Sequence, residues 1–362
     1  MSTELERRLE GLFAEAPEPD PGAGAEALHR ALRALRPVAP PHRGLRAGVL
    51  AFAGVVVLLV IAAGSLAAAG ALHVSIGAKA KPKPPATTRL SLPKGAGASG
   101  IAAIVNGRLS VVIKGGFGLQ ASATAAALSP HALYVAAGIR DSLVAIAPSG
   151  RHAFSHPAGG RVVAIAWAPD GFRIAYVVRV GRHFLLRAIY GNGRHDELID
   201  SSVRPVQPSW RADSLVFAYV GAGGKAIVYD LGHQSRSILG SPAPVTRLAF
   251  APRGNKLLVA TPGAAFLGRK TVATGEIEAI GWLQDRATVA VESGVTEPLV
   301  RTFAPSGRPL EAFRVPGRVL AVTGGLVVTR TTNKILAGWR TKRVSTVLGV
   351  RNATVVEHLE IG

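Results

Sequence analysis

From Ile101 to the end of the chain, short runs of Val, Ile, Leu and Ala alternate with corners of Gly, Pro, Asn and Asp, and no long helical period interrupts them. Short apolar runs bounded by turn formers read as β-strands. IAAIVNGRLSVVI, Ile101 to Ile113, shows the type, with Asn106-Gly107 between two apolar runs. That pair tolerates two successive positive φ angles, so it predicts a tight hairpin. The pattern upstream is different. In MSTELERRLEGLF, Leu5, Leu9, Leu12 and Phe13 share one helical face behind a Thr3/Glu6 capping box, and in AEALHRALRAL so do Leu28, Leu32 and Leu35. APEPDPGAG breaks the two apart.

Ala47 to Leu72, AGVLAFAGVVVLLVIAAGSLAAAGAL, is twenty-six residues without a charge. As a helix with ~1.5 Å rise it would cover roughly 39 Å, more than a hydrocarbon core of about 30 Å. A helix apolar on every face for this length is a membrane span. Arg33, Arg36, Arg43 and Arg46 precede it and Lys79, Lys81 and Lys83 follow, which places the N-terminus inside by a narrow margin. Ala69-Gly70-Ala71 has the small-x-small form of a cleavage site, but 46 residues is too long a leader for a signal peptide, and a retained anchor is expected. GAKAKPKPPATTRLSLPKGAGASG, Gly77 to Gly100, is rich in Pro, Lys and Gly and reads as an extended stalk. The predicted domains are a cytoplasmic segment 1–46, a span 47–72, a stalk 73–100 and a β-domain 101–362.

The β-domain repeats itself. VVAIAWAPDGFRIAYVV (Val162 to Val178) aligns with RPVQPSWRADSLVFAYV (Arg204 to Val220) and PVTRLAFAPRGNKLLVA (Pro244 to Ala260), and weaker copies start at Ala123, Glu276 and Arg318. The aligned anchors Leu128, Trp167, Trp210, Phe250, Trp282 and Val322 are 39, 43, 40, 32 and 40 residues apart. VAIAPSGR, RAIYGNGR and RTFAPSGR, ending at Arg151, Arg194 and Arg308, recur with the same period. A unit of this length with four short strands is the blade of a β-propeller. The 262 residues from Ile101 hold six visible repeats plus a hairpin at Ile101–Ile113 and a strand at Ala353–Ile361. Pairing those leftovers would close a ring and cover a sheet edge, so seven four-stranded blades are expected, with six the alternative.

The W-x-P-D-G-x-x-I-A-Y pattern of Trp167 to Tyr176 resembles the propeller repeat of the TolB family, and the likeness extends weakly over 101–362. It implies an all-β propeller with the anchors at blade contacts. Elsewhere the Asp170-Gly171 pair is replaced by Ala212-Asp213, Arg253-Gly254 and Gln284-Asp285, so the carboxylate serves no role common to all blades.

Composition narrows the chemistry. Cysteine is absent, which excludes disulfides and thiol chemistry, and the abundance of Ala, Gly and Arg is that of a GC-rich bacterial genome. The formal charge is +20, and because residues 1–46 carry seven Lys/Arg and seven Asp/Glu, all the excess lies downstream. Such a chain favours polyanions, but no basic-aromatic groove or Lys/Arg run points to nucleic acid. Arg173, Arg211 and Arg253 follow equivalent turns and read as a basic rim, or as scattered solvated arginines. No H-E-x-x-H, G-x-S-x-G, Walker or dinucleotide motif is present, APSGR lies in a repeated turn, and His195-Asp196-Glu197 reads as an exposed corner rather than a cation site. His152 and His156 fall on a strand, where four residues span roughly 13 Å, too far for one metal. The expected protein is non-enzymatic, without metal or cofactor: a single-pass membrane protein whose exported propeller recognises proteins or anionic envelope polymers. The alternatives are transmembrane signalling, on a layout that resembles anti-sigma factors and has residues 1–46 contacting a cytoplasmic protein, and an envelope hydrolase or lyase.

Overall fold

The structure is a computed structural model that describes residues 90–93, 99–114, 118–147, 150–240, 242, 244–293, 296–338, 344–351 and 354–362. The predicted segments 1–46 and 47–72, and residues 73–89 of the stalk, lie outside them. Among the described residues no helix is long and apolar enough to cross a membrane. The chain there forms seven four-stranded antiparallel sheets arranged as a seven-bladed β-propeller.

Blade 1 joins both ends of the domain. Its inner strand is β28 (Val356–Ile361), followed outward by β1 (Gly100–Val105), β2 (Arg108–Ile113) and β3 (Gly118–Ser122). Blade 2 is β4 (Ala126–Leu128), β5 (Val135–Ile139), β6 (Ser142–Ile146) and β7 (His152–Pro157), and blade 3 is β8 (Arg161–Trp167), β9 (Arg173–Val180), β10 (His183–Tyr190) and β11 (Glu197–Asp200). Blade 4 is β12 (Ser209–Trp210), β13 (Val216–Val220), β14 (Ala226–Asp230) and β15 (Ser235–Ile238), and blade 5 is β16 (Arg247–Phe250), β17 (Leu257–Ala260), β18 (Ala264–Leu267) and β19 (Lys270–Thr274). Blade 6 is β20 (Ile277–Leu283), β21 (Arg286–Ser293), β22 (Thr296–Phe303) and β23 (Pro309–Arg314), and blade 7 is β24 (Arg318–Thr323), β25 (Leu326–Arg330), β26 (Lys334–Gly338) and β27 (Ser345–Gly349). The leftover hairpin and C-terminal strand do pair, in register Ile101↔Ile361 and Ala103↔Leu359. Leu90, assigned to the stalk in the sequence, bridges to Leu348 at the outer edge of blade 7 and is buried there.

Meander blades put alternate turns on opposite faces. The upper face carries the turns from first to second and from third to fourth strand, and the lower face carries the second-to-third turns and the blade-to-blade connections. The uneven repeat spacing follows from loops on both faces. Blade 5 turns from β18 to β19 through Gly268-Arg269 alone, whereas blade 3 spends Gly191–Asp196 on the same turn and 201–208 on its exit.

The core is divided among the blade contacts. Seven clusters of buried apolar side chains each straddle one pair of neighbouring blades: Ile174, Tyr176 and Val178 face Ala127 and Leu143 of blade 2, while Ala175 and Val177 face Phe217 and Tyr219 of blade 4. A strand buried on both faces explains why these runs are continuously apolar rather than alternating. The anchors hold the contacts in register. Trp210 Nε1 donates to Ala166 O at 3.0 Å and Trp282 Nε1 to Ala249 O at 2.9 Å. Each acceptor sits one residue before the anchor of the preceding blade. Phe250 cannot donate from its ring, and there the backbone N–H of Phe250 donates to Ser209 Oγ at 2.8 Å.

Candidate functional site

The seven inner strands enclose a central channel of about 1400 Å³. Its wall is built from alanines, threonines, Gln207, Gln284 and the edges of Trp210, Phe250 and Trp282, and its charged members are Arg247, Glu357, His358 and Glu360. The carboxylates are engaged: Glu357 Oε1 accepts from Gly107 N at 2.9 Å and Glu360 Oε2 from Leu128 N at 3.0 Å. Both bonds tie β28 to its neighbours, so these groups serve closure of the ring. The channel wall desolvates the Arg247 guanidinium and Arg318 adds a like charge; both lower its pKa, against the pull of Glu278. The excess positive charge of the chain is not gathered in this channel. Among the described residues no three His, Asp or Glu side chains converge as metal ligands.

The repeated motif has a local cause in each atom. Trp167 ends β8, and its Nε1 donates to Gly171 O at 2.9 Å across the turn. Asp170 Oδ1 accepts from Phe172 N at 2.8 Å, an Asx turn that leads into Gly171 at φ 78°. Gly171 N donates to Ala168 O and Ala168 N to Arg173 O; the turns at Ala147, Tyr190 and Ala304 share the first bond, from a Gly N, and close with a second that is one residue shorter, as from Ala304 N to Arg308 O. The APSGR segment at Ala304 to Arg308 is therefore a hairpin turn, Ala147, Gly150 and Arg151 make the same bonds in the other copy, and Asp170 is a corner. Leu128, Trp210, Phe250, Trp282 and Val322 are buried at blade contacts.

Arg173, Arg211 and Arg253 all lie on the upper face, and each has a carboxylate neighbour. Arg173 Nη1 is 3.5 Å from Asp170 Oδ2, Arg211 Nε donates to Asp213 Oδ2 at 2.7 Å, and Arg253 Nη1 is 3.9 Å from Asp285 Oδ2. Pairs this exposed add little stability, but each sets a carboxylate against its arginine. Asp213 is held below the usual carboxylate range: burial would raise it, and the bonds from Arg211 and the Leu215 backbone outweigh that.

The corner at Asp196 differs from its sequence reading. Its side chain is only 10% exposed, and it accepts from Tyr176 Oη at 2.7 Å and Arg187 Nε at 2.8 Å and lies 3.0 Å from His156 Nε2 of blade 2. The strand alternation brings Tyr176 and Arg187 to this point, and the β10–β11 loop folds the aspartate back over them. Next along, Tyr219 Oη donates to Asp200 Oδ2 at 2.8 Å from across the blade 3–4 contact, with Arg236 beside it. These are clamps between blades.

A feature that the sequence did not announce lies between the corners. Leu133, Tyr134, Phe172, Tyr190 and Leu215 are 41–67% exposed, and all belong to upper-face turns of blades 2, 3 and 4. They form one surface. Tyr134 stacks on Trp167 at 6.3 Å, Gly191 N donates to Phe172 O at 2.8 Å, Arg173 lies 5.9 Å over the Tyr190 ring, and Asp170 N donates to Ser214 Oγ at 2.9 Å. The equivalent turns of blades 5, 6 and 7 read Arg253-Gly254-Asn255, Gln284-Asp285 and Gly324-Gly325. The only sequence signal was the position of each apolar residue one step outside its strand, and strand ends are the part of a sequence reading that is least determined. Compared with known proteins, the chain matches no family model and no curated protein.

Proposed function

We propose that the chain is a non-enzymatic, membrane-anchored recognition protein of a GC-rich bacterium, with a TolB-like propeller held outside the cytoplasmic membrane and the N-terminus inside. The observation that carries this reading is the apolar surface on blades 2–4 of the upper face. Clusters of exposed aromatic and aliphatic groups rimmed by polar ones mark protein contacts. Exposed Arg151, Arg194 and His195 flank the cluster, so the partner that fits is a protein segment with apolar side chains and acidic neighbours. A protein is favoured over an anionic envelope polymer because Arg173, Arg211 and Arg253 are already matched by Asp170, Asp213 and Asp285. The anchoring is supported by the uncharged run Ala47–Leu72, and the TolB likeness by Trp167 to Tyr176.

The test is site-specific photo-crosslinking of the full chain in its own membranes, with the crosslinker at Phe172 or Leu215 and, as a control, at Asn255 on the polar side of the face. A discrete protein adduct from the first two positions alone, lost with Tyr134→Asp, is expected. A polydisperse ladder would favour an envelope polymer, and equal labelling from all three positions would overturn the reading.

A further inference from the structure

We propose that the lower face of the propeller rests on an anionic bilayer surface, with lipid headgroup phosphates as the ligands of its unpaired cations. On the upper face Arg173, Arg211 and Arg253 stand beside aspartates, while Arg151, Arg194, Arg269 and Arg308 are exposed there without an ion pair among the described residues; the lower face carries a set of such cations too, and it is the side from which the chain arrives. Arg140 and Arg182 lie in second-to-third turns, Arg161 opens β8, Lys225 precedes β14, Lys334 opens β26, and Arg351 lies in the connection to β28. All six are exposed, and among the described residues none of them is in an ion pair. Of the six described carboxylates on this face, three are engaged in hydrogen bonds. Asp141, Glu276 and Glu297 are exposed, whereas Glu357 is bonded to Gly107 N, Glu278 to Val319 N and Asp200 to Tyr219. Guanidinium groups match phosphate oxygens in a planar fork, which suits them to headgroups.

Apolar tips stand among these cations. Val180, between Arg179 and Arg182, is exposed, as are Ile238 at the end of β15 and Val355 near Arg351. Cations beside aliphatic tips are the composition of an interfacial contact, in which apolar groups enter the headgroup layer under charge attraction. The path of the chain points the same way. β27 descends from the upper to the lower face, and Leu90 pairs antiparallel to it, with Ser91 N donating to Val347 O at 2.8 Å. The chain therefore reaches the propeller from the lower side.

The proposal rests on the anchored reading for its strength. Seventeen residues separate Leu72 from Leu90, a contour of at most about 60 Å at ~3.5 Å each. A tether this short holds the face at millimolar effective concentration near the bilayer, so a weak attraction suffices.

The absence of cysteine permits a single label on the full chain. Val180→Cys reports on the lower face and Phe172→Cys on the upper, each read by energy transfer to a headgroup dye in vesicles of phosphatidylcholine alone or mixed with phosphatidylglycerol. Transfer at position 180 is expected to rise several-fold with phosphatidylglycerol and to fall again from 0.1 M to 1 M salt, as the Debye length shrinks from about 10 Å to about 3 Å. The label at 172 should not respond. Arg140→Glu with Arg182→Glu, checked for unchanged melting, should abolish the rise.

Equal transfer in both lipids, or a response at 172 instead, overturns the proposal. So does self-association through the lower face in lipid-free detergent that the same double variant removes, since a second copy would then be its partner. Alkaline extraction after each reading decides the anchor separately: a chain washed from the vesicles refutes the span, while the transfer already recorded decides the docking.

Discussion

At the scale of the residue, Asp196 shows how a side chain that reads as solvent-exposed becomes structural. Burial alone would raise its pKa, but the hydrogen bonds from Arg187, Tyr176 and His156 and the Arg187 charge hold it below the usual carboxylate range. A depressed folded pKa contributes stability that is complete above the unfolded value of about 3.9. It is lost as pH falls through the folded value. Burial, then the bond to Asp196, pushes the Tyr176 hydroxyl well above its ordinary range, and burial, then the bond to Asp200, does the same to Tyr219. For these phenols the sign is opposite, because the neutral form belongs to the fold: their contribution is full below about pH 10 and lost above it. Asp196→Asn is expected to cost about 2 kcal/mol at neutral pH, in line with loss of bonds to a charged acceptor, and to flatten the stability profile below about pH 4. Urea midpoints measured across acid pH check this, and an unchanged slope in the variant would show that the clamp carries no charge linkage. None of this was visible in His195-Asp196-Glu197, because the partners lie nine, twenty and forty residues away on three different strands.

At the scale of the element, turn chemistry was the most legible part of the chain. Asn106-Gly107 predicts a turn with two positive φ angles, and they are 51° and 70°. The repeated Gly corners likewise became turns, because their conformation is fixed by local backbone sterics that a sequence records directly. What local sequence does not record is close approach between elements. A Cβ added at Gly171 would find its nearest neighbour, Pro130 Cδ, at 3.8 Å, whereas at Gly281 in β20 it would lie 2.3 Å from Val322 O and 2.7 Å from Val322 Cβ of the next blade. Gly281 reads as an ordinary strand residue, yet it is the point where two inner strands touch. Gly171→Ala should therefore cost about 1–2 kcal/mol, the left-handed penalty alone. Gly281→Ala should cost more, because blade 7 must shift and overpacking adds ~1–3 kcal/mol. Thermal melts of the two variants give the order, and a milder Gly281→Ala would mean that the β20–β24 contact is soft.

At the scale of the whole molecule, the number of blades was readable from what the repeat left over, whereas the division of labour between the two faces was not. Each anchor marks a blade contact, but the matching of Arg173, Arg211 and Arg253 to aspartates depends on side-chain reach across turns, and the gathering of Leu133, Phe172 and Leu215 on one arc depends on ring closure. That closure is the property of the molecule most open to attack. β28 covers the whole pairing edge of β1, supplies Leu359 and Ile361 to the contact between blades 7 and 1, and carries Glu357 and Glu360 to backbone N–H groups on either side. Ending the chain at Val355 would expose an unpaired, apolar strand edge and remove one wall of the channel at once. Such an edge pairs with another chain, so the truncated protein is expected to elute as oligomers and to melt broadly rather than in one transition. A synthetic peptide spanning 356–362 should restore both, since it replaces the missing strand through the same main-chain bonds. The peptide with Glu357→Gln and Glu360→Gln should restore them less well, because it pairs with β1 without its charged ties to Gly107 and Leu128. A truncated chain that stays monomeric and melts sharply without peptide would show that six blades and an open seventh are stable by themselves, and that the C-terminal strand serves the channel rather than the ring.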